Sequence, residues 1–429
     1  MAQVDDLFDD IDRQIEQRFN RDSERVDLIY EAVNKAVNDA YKGLTKKIEV
    51  KWPDQVLSDR SQWVAYSTDF SQRAKVDFSN GEMIIEAVVE EDKTTEEQVL
   101  SAINFGRELI EADTVELEEK DLLSQEINKE LQAVDMLPPS AKKNSKKTAL
   151  NMVIPEDLYH QAISSLEVTA PLSVGPAESV EPVEPSEPVE PAESVESLKV
   201  NKKNSPVTDV VALPFTPTQE VIPAKNEVEI YEDGGLTKIR FHIKFVNEFQ
   251  RILVENYQSD IQKYAQEYGI SVSTILAIIE TESSFNPRAV SPIPAFGLMQ
   301  LVPRTAGVDA YQLVHGKQQV VSPDFLFNEK NNLQLGSAYF YLLMNRYLKH
   351  IKDDVARFYC SVVSYNTGVG NMSLTFVGVK NIKKAVTKIN TMTSEEVYDF
   401  LLKNLPAKET VNYLQKIVKR RDKYKHLDI

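Results

Sequence analysis

Residues 271–300 read SVSTILAIIETESSFNPRAVSPIPAFGLMQ, and the fold of the C-terminal half turns on how the opening of this stretch is read. Ser271, placed just after Gly269, is a candidate N-cap for a helix. At roughly 100° per residue, Ile275, Ile278 and Ile279 share one face, and Glu282 falls within it, about 20° from Ile275. Glu280 points instead to the side that carries Ser273. Two neighbouring carboxyls therefore have opposite expected surroundings: solvent for Glu280, apolar surface in the last helical turn for Glu282. Burial disfavours the charged form of a carboxyl, and the helix dipole at a C-terminus disfavours the anion further. The Glu282 pKa is expected to rise, which suits a general acid at neutral pH. Read from this helix alone, a polar residue that merely ends a core helix is an equal alternative.

The segments that follow carry more information. Glu282-Ser283-Ser284-Phe285-Asn286-Pro287 closes the helix, Ala289-Val290-Ser291 and Gly297-Leu298-Met299-Gln300 come next, and Ser364-Tyr365-Asn366-Thr367-Gly368 appears later. In this order and spacing they resemble the soluble lytic transglycosylase, goose-lysozyme-like domain of peptidoglycan-cleaving enzymes. The likeness narrows to the membrane-bound lytic murein transglycosylase C group through Phe325-Leu326-Phe327, Asn331, Gly336-Ser337-Ala338-Tyr339, Ile389-Asn390-Thr391-Met392-Thr393 and Glu409-Thr410-Val411-Asn412-Tyr413. The front half is similar through Trp63-Val64-Ala65-Tyr66, Arg73, Val76-Asp77-Phe78, Gly81 and Ile84-Ile85-Glu86.

Working outward, the chain reads as α+β: a small α+β N-terminal domain, an extended Pro/Glu-rich linker, and an all-α lysozyme-like catalytic domain, the last by resemblance. Apolar residues from Leu7 to Tyr41 recur at helical spacing, giving an amphipathic segment over 1–45. Lys47-Ile48-Glu49-Val50-Lys51-Trp52 alternates like a strand, and Ala74–Phe78 and Glu82–Val89 form a hairpin about Ser79-Asn80-Gly81, within an accessory domain over 46–165. In the linker, 166–228, Glu178, Glu181, Glu184, Glu187, Glu190, Glu193 and Glu196 recur at the three-residue period of polyproline II, which predicts a semi-rigid solvated spacer. A disordered acidic recognition tail is the competing reading. Leu236–Val246 alternates as a strand that could pair back onto the front domain. Helical spacing then dominates a catalytic domain placed over 229–429.

Charge follows the same division. Of 49 Lys+Arg and 66 Asp+Glu, residues 251–429 hold 22 and 16, so a back module of net +6 sits in a chain of net −17. The chain average excludes a nucleic-acid binder. The single cysteine, Cys360, excludes an internal disulfide framework and a multi-cysteine zinc site, and its apolar neighbours predict a buried core thiol. No cofactor and no metal are expected. No run is long and apolar enough to span a bilayer, and the first ten residues carry neither a basic region followed by an apolar one nor a lipid-attachment cysteine.

The resemblance implies that Glu282 is the one catalytic acid/base. It would protonate the bond between N-acetylmuramic acid and N-acetylglucosamine, then take the proton of the muramyl C6 hydroxyl, closing a 1,6-anhydro ring without water. Tyr413 would orient Glu282, and Ser283, Ser291, Gln300 and Asn366 would bind sugar, with Met299 and Tyr365 as apolar walls. The bland alternatives are core packing for Met299, Tyr365 and Tyr413 and a helix C-cap for Asn366. Hydrolysis generally needs two carboxylates, and Asp309 and Asp324, in expected loops, are the nearest second candidates. Two residues depart from relatives: Ser364 stands where they usually have Ala, and Ile293 where many have a second serine. The expected partner is the peptidoglycan glycan strand, with cell-wall machinery partners through the N-terminal half and a periplasmic or envelope location. A lysozyme-like hydrolase and a peptidoglycan-binding scaffold are the rival functions.

Overall fold

A computed structural model describes residues 28–131, 146–164, 167–168 and 227–428. The first part of the amphipathic segment and the Pro/Glu-rich spacer lie outside the described residues. Helix α1 runs over 28–48, so the strand expected at 47–52 is not one. Leu44, Ile48 and Trp52 are spaced four apart and all buried, and the Trp52 amide donates to the Ile48 carbonyl at 2.8 Å. The helical period outweighs the local alternation.

The front sheet comprises β1 (Gln62–Tyr66), β2 (Gln72–Asp77), β3 (Glu82–Val88), β4 (Glu167–Val168), β5 (Glu227–Asp233) and β6 (Leu236–Lys244), in the order β1-β2-β3-β6-β5-β4. The hairpin expected around Ser79-Asn80-Gly81 joins β2 to β3. Strand β6 does pair back, antiparallel to β3, placing Met83 opposite Ile243 and Ile85 opposite Phe241. A boundary at 229 falls within β5, whose hairpin with β6 extends the front sheet beside β3, with Ile239, Phe241 and Ile243 buried on it. The short strand β4 pairs parallel with β5, Glu167 opposite Glu227.

Helices α2 (Thr95–Glu111), α3 (Thr114–Lys120), α4 (Leu122–Leu131), α5 (Ala149–Val153) and α6 (Glu156–Ser164) accompany this sheet. A charge network is buried within the front domain. Arg73, 2% exposed, donates twice to Asp54 at 2.6 and 2.7 Å and once to Glu86 at 2.6 Å; Glu86, 1% exposed, also meets Lys75 at 2.9 Å and the Tyr231 hydroxyl at 2.8 Å. Arg73 of β2 and Lys238 of β6 both lie over the Trp52 ring, which ties the turn after α1 to two strands.

The helical body follows: α7 (Phe249–Tyr268), α8 (Val272–Glu282), α9 (Ala306–His315), α10 (Pro323–Phe327), α11 (Glu329–Leu342, ending in a π turn at Leu343–Tyr347), α12 (Asp354–Thr367), α13 (Val369–Val377), α14 (Ile382–Ile389), α15 (Ser394–Asn404) and α16 (Lys408–Tyr424). One apolar core runs from Met83, Ile85 and Phe241 of the sheet through Leu253 and Tyr257 to Ile275 and Ile278 of α8. A second joins α1 to Phe296, Leu301 and the α9–α11 region. The two parts share a core, and polar contacts reinforce it: Arg288 donates to Asp121 at 2.9 Å and to Ser124 at 2.6 Å, and Asn128 to Asp324 at 2.7 Å. Cys360 is buried in this core as expected, and burial raises its thiol pKa. Among the described residues, no helix is long and apolar enough to cross a membrane.

Candidate active site

Ser271 caps α8 as its sequence suggests, its hydroxyl accepting from the Thr274 amide at 3.2 Å. The helix is apolar almost all round, so it is enclosed, and Glu282 in its last turn is 6% exposed. The Tyr413 hydroxyl of α16 donates to Glu282 Oε1 at 2.7 Å. Burial pushes the Glu282 carboxyl up to about 7, against the lowering effects of the Tyr413 hydrogen bond and the Arg60 charge. Glu409 adds to the rise. Tyr413 is itself held well above the usual tyrosine value, by burial first and then by Glu282 and Tyr365.

Glu280 departs from its expected place in solvent. It sits mostly covered beside Arg420 at 3.3 Å and Lys423 at 3.2 Å, because α16 lies along that side of α8. Ser273, also buried, donates to Asp428 at 2.6 Å. Of two carboxyls a half-turn apart, one has cations and the other has a tyrosine, and the second, Glu282, is poised to carry a proton near neutrality.

The chain reverses immediately after Glu282. Ser284 and Phe285 take left-handed backbone angles, φ 51° and 66°, a costly choice for residues with side chains. Burial of Phe285, stacked on Tyr257 at 6.5 Å between centroids, offsets that cost. The reversal brings the 289–301 loop across the end of α8. Ser283 donates to the Leu298 carbonyl at 2.8 Å, Tyr365 to the Met299 carbonyl at 2.9 Å, and Asn332 accepts from the Met299 amide at 2.8 Å. Three helices thereby fix two consecutive residues of the loop. Gly336 makes this possible: a Cβ there would lie 2.3 Å from the Met299 sulfur.

Residues 259–387 match the family described as Transglycosylase SLT domain, and residues 30–132 match Membrane-bound lytic murein transglycosylase C, N-terminal domain. The two matches follow one another in chain order, the N-terminal one first. It is 42% identical over 165 residues to the membrane-bound lytic murein transglycosylase C of Yersinia pestis (strain Pestoides F), covering 38% of this chain and 45% of that one. The same figures hold for the protein of that name from Yersinia pseudotuberculosis serotype O:1b (strain IP 31758), so the matched stretch spans less than half the length of these curated relatives. Among solved structures, an inactive mutant of the lytic transglycosylase Slt from Pseudomonas aeruginosa aligns at 22% identity and a TM-score of 0.31, over 40% of this chain and 24% of that chain. The 70 kDa soluble lytic transglycosylase of Escherichia coli aligns at 21% and 0.31, over 41% of this chain and 26% of its own.

Within the matched residues 259–387 the remaining expected positions divide by what they touch. Ser283 is buried, with its proton committed to backbone carbonyls, and Met299 is fully enclosed, so both act on the loop's shape. Tyr365 is half-buried and fastens the loop while facing Glu282 closely enough to feel its charge. Asn366 accepts from Thr410 at 2.9 Å, linking α12 to α16; the C-cap of α12 is Gly368. Gln300, at φ 47°, donates to the Ala289 and Gly297 carbonyls, and its Oε1 is buried without a partner in this structure, an open acceptor. Ser291 is buried in the same loop, and Ile293 stands 73% exposed on it.

Asp309 and Asp324 lie on helices, not in the expected loops. Asp309 accepts from Tyr347 at 2.8 Å, and Asp324 from Asn128. The carboxylate whose charge bears on Glu282 is that of Glu409, one helical turn before Tyr413, with Arg60 beside it at 3.4 Å. The four-residue spacing of Glu409 and Tyr413 signals a shared face, whereas nothing local marks Arg60, which arrives from another domain.

Replacing Tyr413 by Phe removes the donor that favours ionised Glu282 and is expected to lower turnover about ten- to a hundredfold, consistent with a hydrogen bond to a charged group worth about 1.5–3 kcal/mol. Because the Glu282 pKa then rises, the alkaline limb of a pH–rate profile is expected to move upward. An unchanged limb would assign Tyr413 to packing alone.

Proposed function

We propose that the protein is a peptidoglycan lytic transglycosylase of the cell envelope. The observation that carries this reading is the buried Glu282 carboxyl, protonated up to about pH 7 and hydrogen-bonded by Tyr413. A protonated carboxyl can donate to the glycosidic oxygen between N-acetylmuramic acid and N-acetylglucosamine as that bond breaks. The resulting carboxylate is accommodated by the Tyr413 hydroxyl and the Arg60 charge, and it can accept the proton of the muramyl C6 hydroxyl as that oxygen closes on the anomeric carbon. The proton balance returns Glu282 to its starting state, no water enters, and one carboxyl serves both steps. Gln300 Oε1, an unpartnered acceptor, is suited to a hydroxyl or acetamido N–H of the glycan. The names of the SLT family and of the matched relatives support the substrate class, and the words "membrane-bound" in those names support an envelope location.

A hydrolase reading gains one observation, the Glu409 carboxylate, which lines the same opening as Tyr413. Mass spectrometry of muropeptides after digestion of sacculi separates the two: anhydro-muramyl ends are expected, and reducing ends would transfer the assignment to hydrolysis. If the intact protein binds sacculi and releases nothing, the scaffold reading stands instead.

A further inference from the structure

The turn between α1 and β1 carries Arg60 from the front domain to the mouth of the Glu282 site. It is a built turn: Asp59 Oδ1 accepts from the Ser61 and Gln62 amides at 2.8 and 2.7 Å, and the Tyr41 hydroxyl donates to the Ser58 carbonyl at 3.2 Å. It is also docked on the loop after α8, where the Val290 amide donates to the Asp59 carbonyl at 3.3 Å and Asn286 to the Arg60 carbonyl at 3.5 Å. The Arg60 side chain then shares an opening of about 390 Å³ with Thr281, Lys408, Glu409, Tyr413 and Lys416. Three cations face one carboxylate there, an excess that favours an anionic guest.

The contact Arg60 makes inside the protein is weak. Its pair with Glu409 is a single 3.4 Å approach between side chains 43% and 71% exposed, a class worth about 0–1 kcal/mol. A carboxylate that meets the planar guanidinium with two oxygens is a better partner, and the fixed backbone of the turn lowers the cost of recruiting it. The substrate of the proposed reaction supplies such groups, because the stem peptides on its muramyl residues carry free carboxylates.

We propose that Arg60, with Lys408 and Lys416, forms a carboxylate-binding subsite for the stem peptide, so that the front domain selects peptide-bearing glycan. This deepens, and rests on, the transglycosylase reading. The subsite joins two domains at the edge of the Glu282–Tyr413 pair, which gives the shared core a functional purpose: it fixes a peptide-reading arginine relative to a glycan-cleaving glutamate.

The test compares the full-length protein and its Arg60→Gln variant on peptide-bearing glycan strands and on strands stripped of peptide by an amidase. KM for the peptide-bearing strands is expected to rise about tenfold, the loss of roughly one charged hydrogen bond, with KM for stripped strands unchanged and Arg60→Lys restoring part of the difference. Arg60 also faces Glu282, so a change in kcat is expected to be common to both substrates. The Lys408→Gln, Lys416→Gln double variant, altered on exposed positions of α16, is expected to shift KM in the same selective way and covers the case of a misfolded Arg60 variant. Equal KM changes on both substrates, or none on either, overturn the subsite. Absence of anhydro products from the wild-type protein overturns the reaction reading instead, and the subsite is then read from retention on peptide-bearing strands, where wild type is expected to exceed Arg60→Gln and equal retention overturns it.

Discussion

Glu282→Gln is expected to lose about a thousandfold or more of glycan-cleaving activity, since one residue supplies both the acid and the base and each role is worth about 10²–10⁴. The same substitution is expected to stabilise the protein at alkaline pH. Glu282 has its folded pKa raised from 4.5 to about 7, so the folded state binds a proton more tightly than the unfolded chain. Stability is then fullest below about pH 4.5 and declines as pH rises towards 7, after which the loss is constant. That difference corresponds to an upper bound of roughly 3 kcal/mol, which a neutral amide of the same shape avoids. Urea unfolding midpoints of the two proteins are expected to converge near pH 4.5 and to separate by pH 8 in favour of the inactive one. An active, unstabilised Glu282→Gln protein would remove Glu282 from the chemistry and from its buried, proton-binding state together.

Arg73→Met is the second large effect, and it concerns the fold that holds Arg60 in place. Removing one member of a buried ion pair costs about 3–5 kcal/mol, because the partner keeps a charge that water cannot reach. Glu86 would be left with Lys75 and Tyr231, and Trp52 would lose the guanidinium on its face. Both tryptophans of the chain, Trp52 and Trp63, lie in this domain and are buried, so the fluorescence transition reports it directly. The network also has an acid signature. Burial acts to raise the Glu86 pKa, but the Arg73 and Lys75 partners overcome it and hold the carboxyl at about 2. Its contribution is present above about pH 4.5 and is lost as pH falls towards 2. The variant is expected to unfold at lower urea at neutral pH and with a weaker dependence on acid; a fluorescence transition matching wild type at both would show the network to be dispensable.

Local pattern made some of this legible and geometry withheld the rest. Helix α8, its Ser271 cap and the buried place of Glu282 follow from apolar spacing and one capping residue, and the β2–β3 hairpin follows from Ser79-Asn80-Gly81. Ile48 and Trp52 misled because a period of two and a period of four coincide over so short a run. Helices α9 and α10 hold Asp309 and Asp324, which were expected in loops. The alternation of β6 was visible, while its partner, β3, lies more than a hundred residues away and no local signal names it. The spacer, read from its composition, lies outside the described residues. In the site, the pairing of Tyr413 with Glu282 was expected from the resemblance, and the two are hydrogen-bonded. Arg60 was not legible, since its contribution exists only once two domains share a core. Ser283 and Met299, expected at the sugar, are buried and held in the loop, a placement that depends on the path of the backbone after α8.

The central claim is that one buried carboxyl cleaves the glycan without water, and digestion of sacculi in water enriched in heavy oxygen tests it most directly. New muramyl ends are expected to carry no heavy oxygen and to weigh one water less than reducing ends, and neither product is expected from Glu282→Gln. Incorporation of one heavy oxygen at each new end would contradict the account.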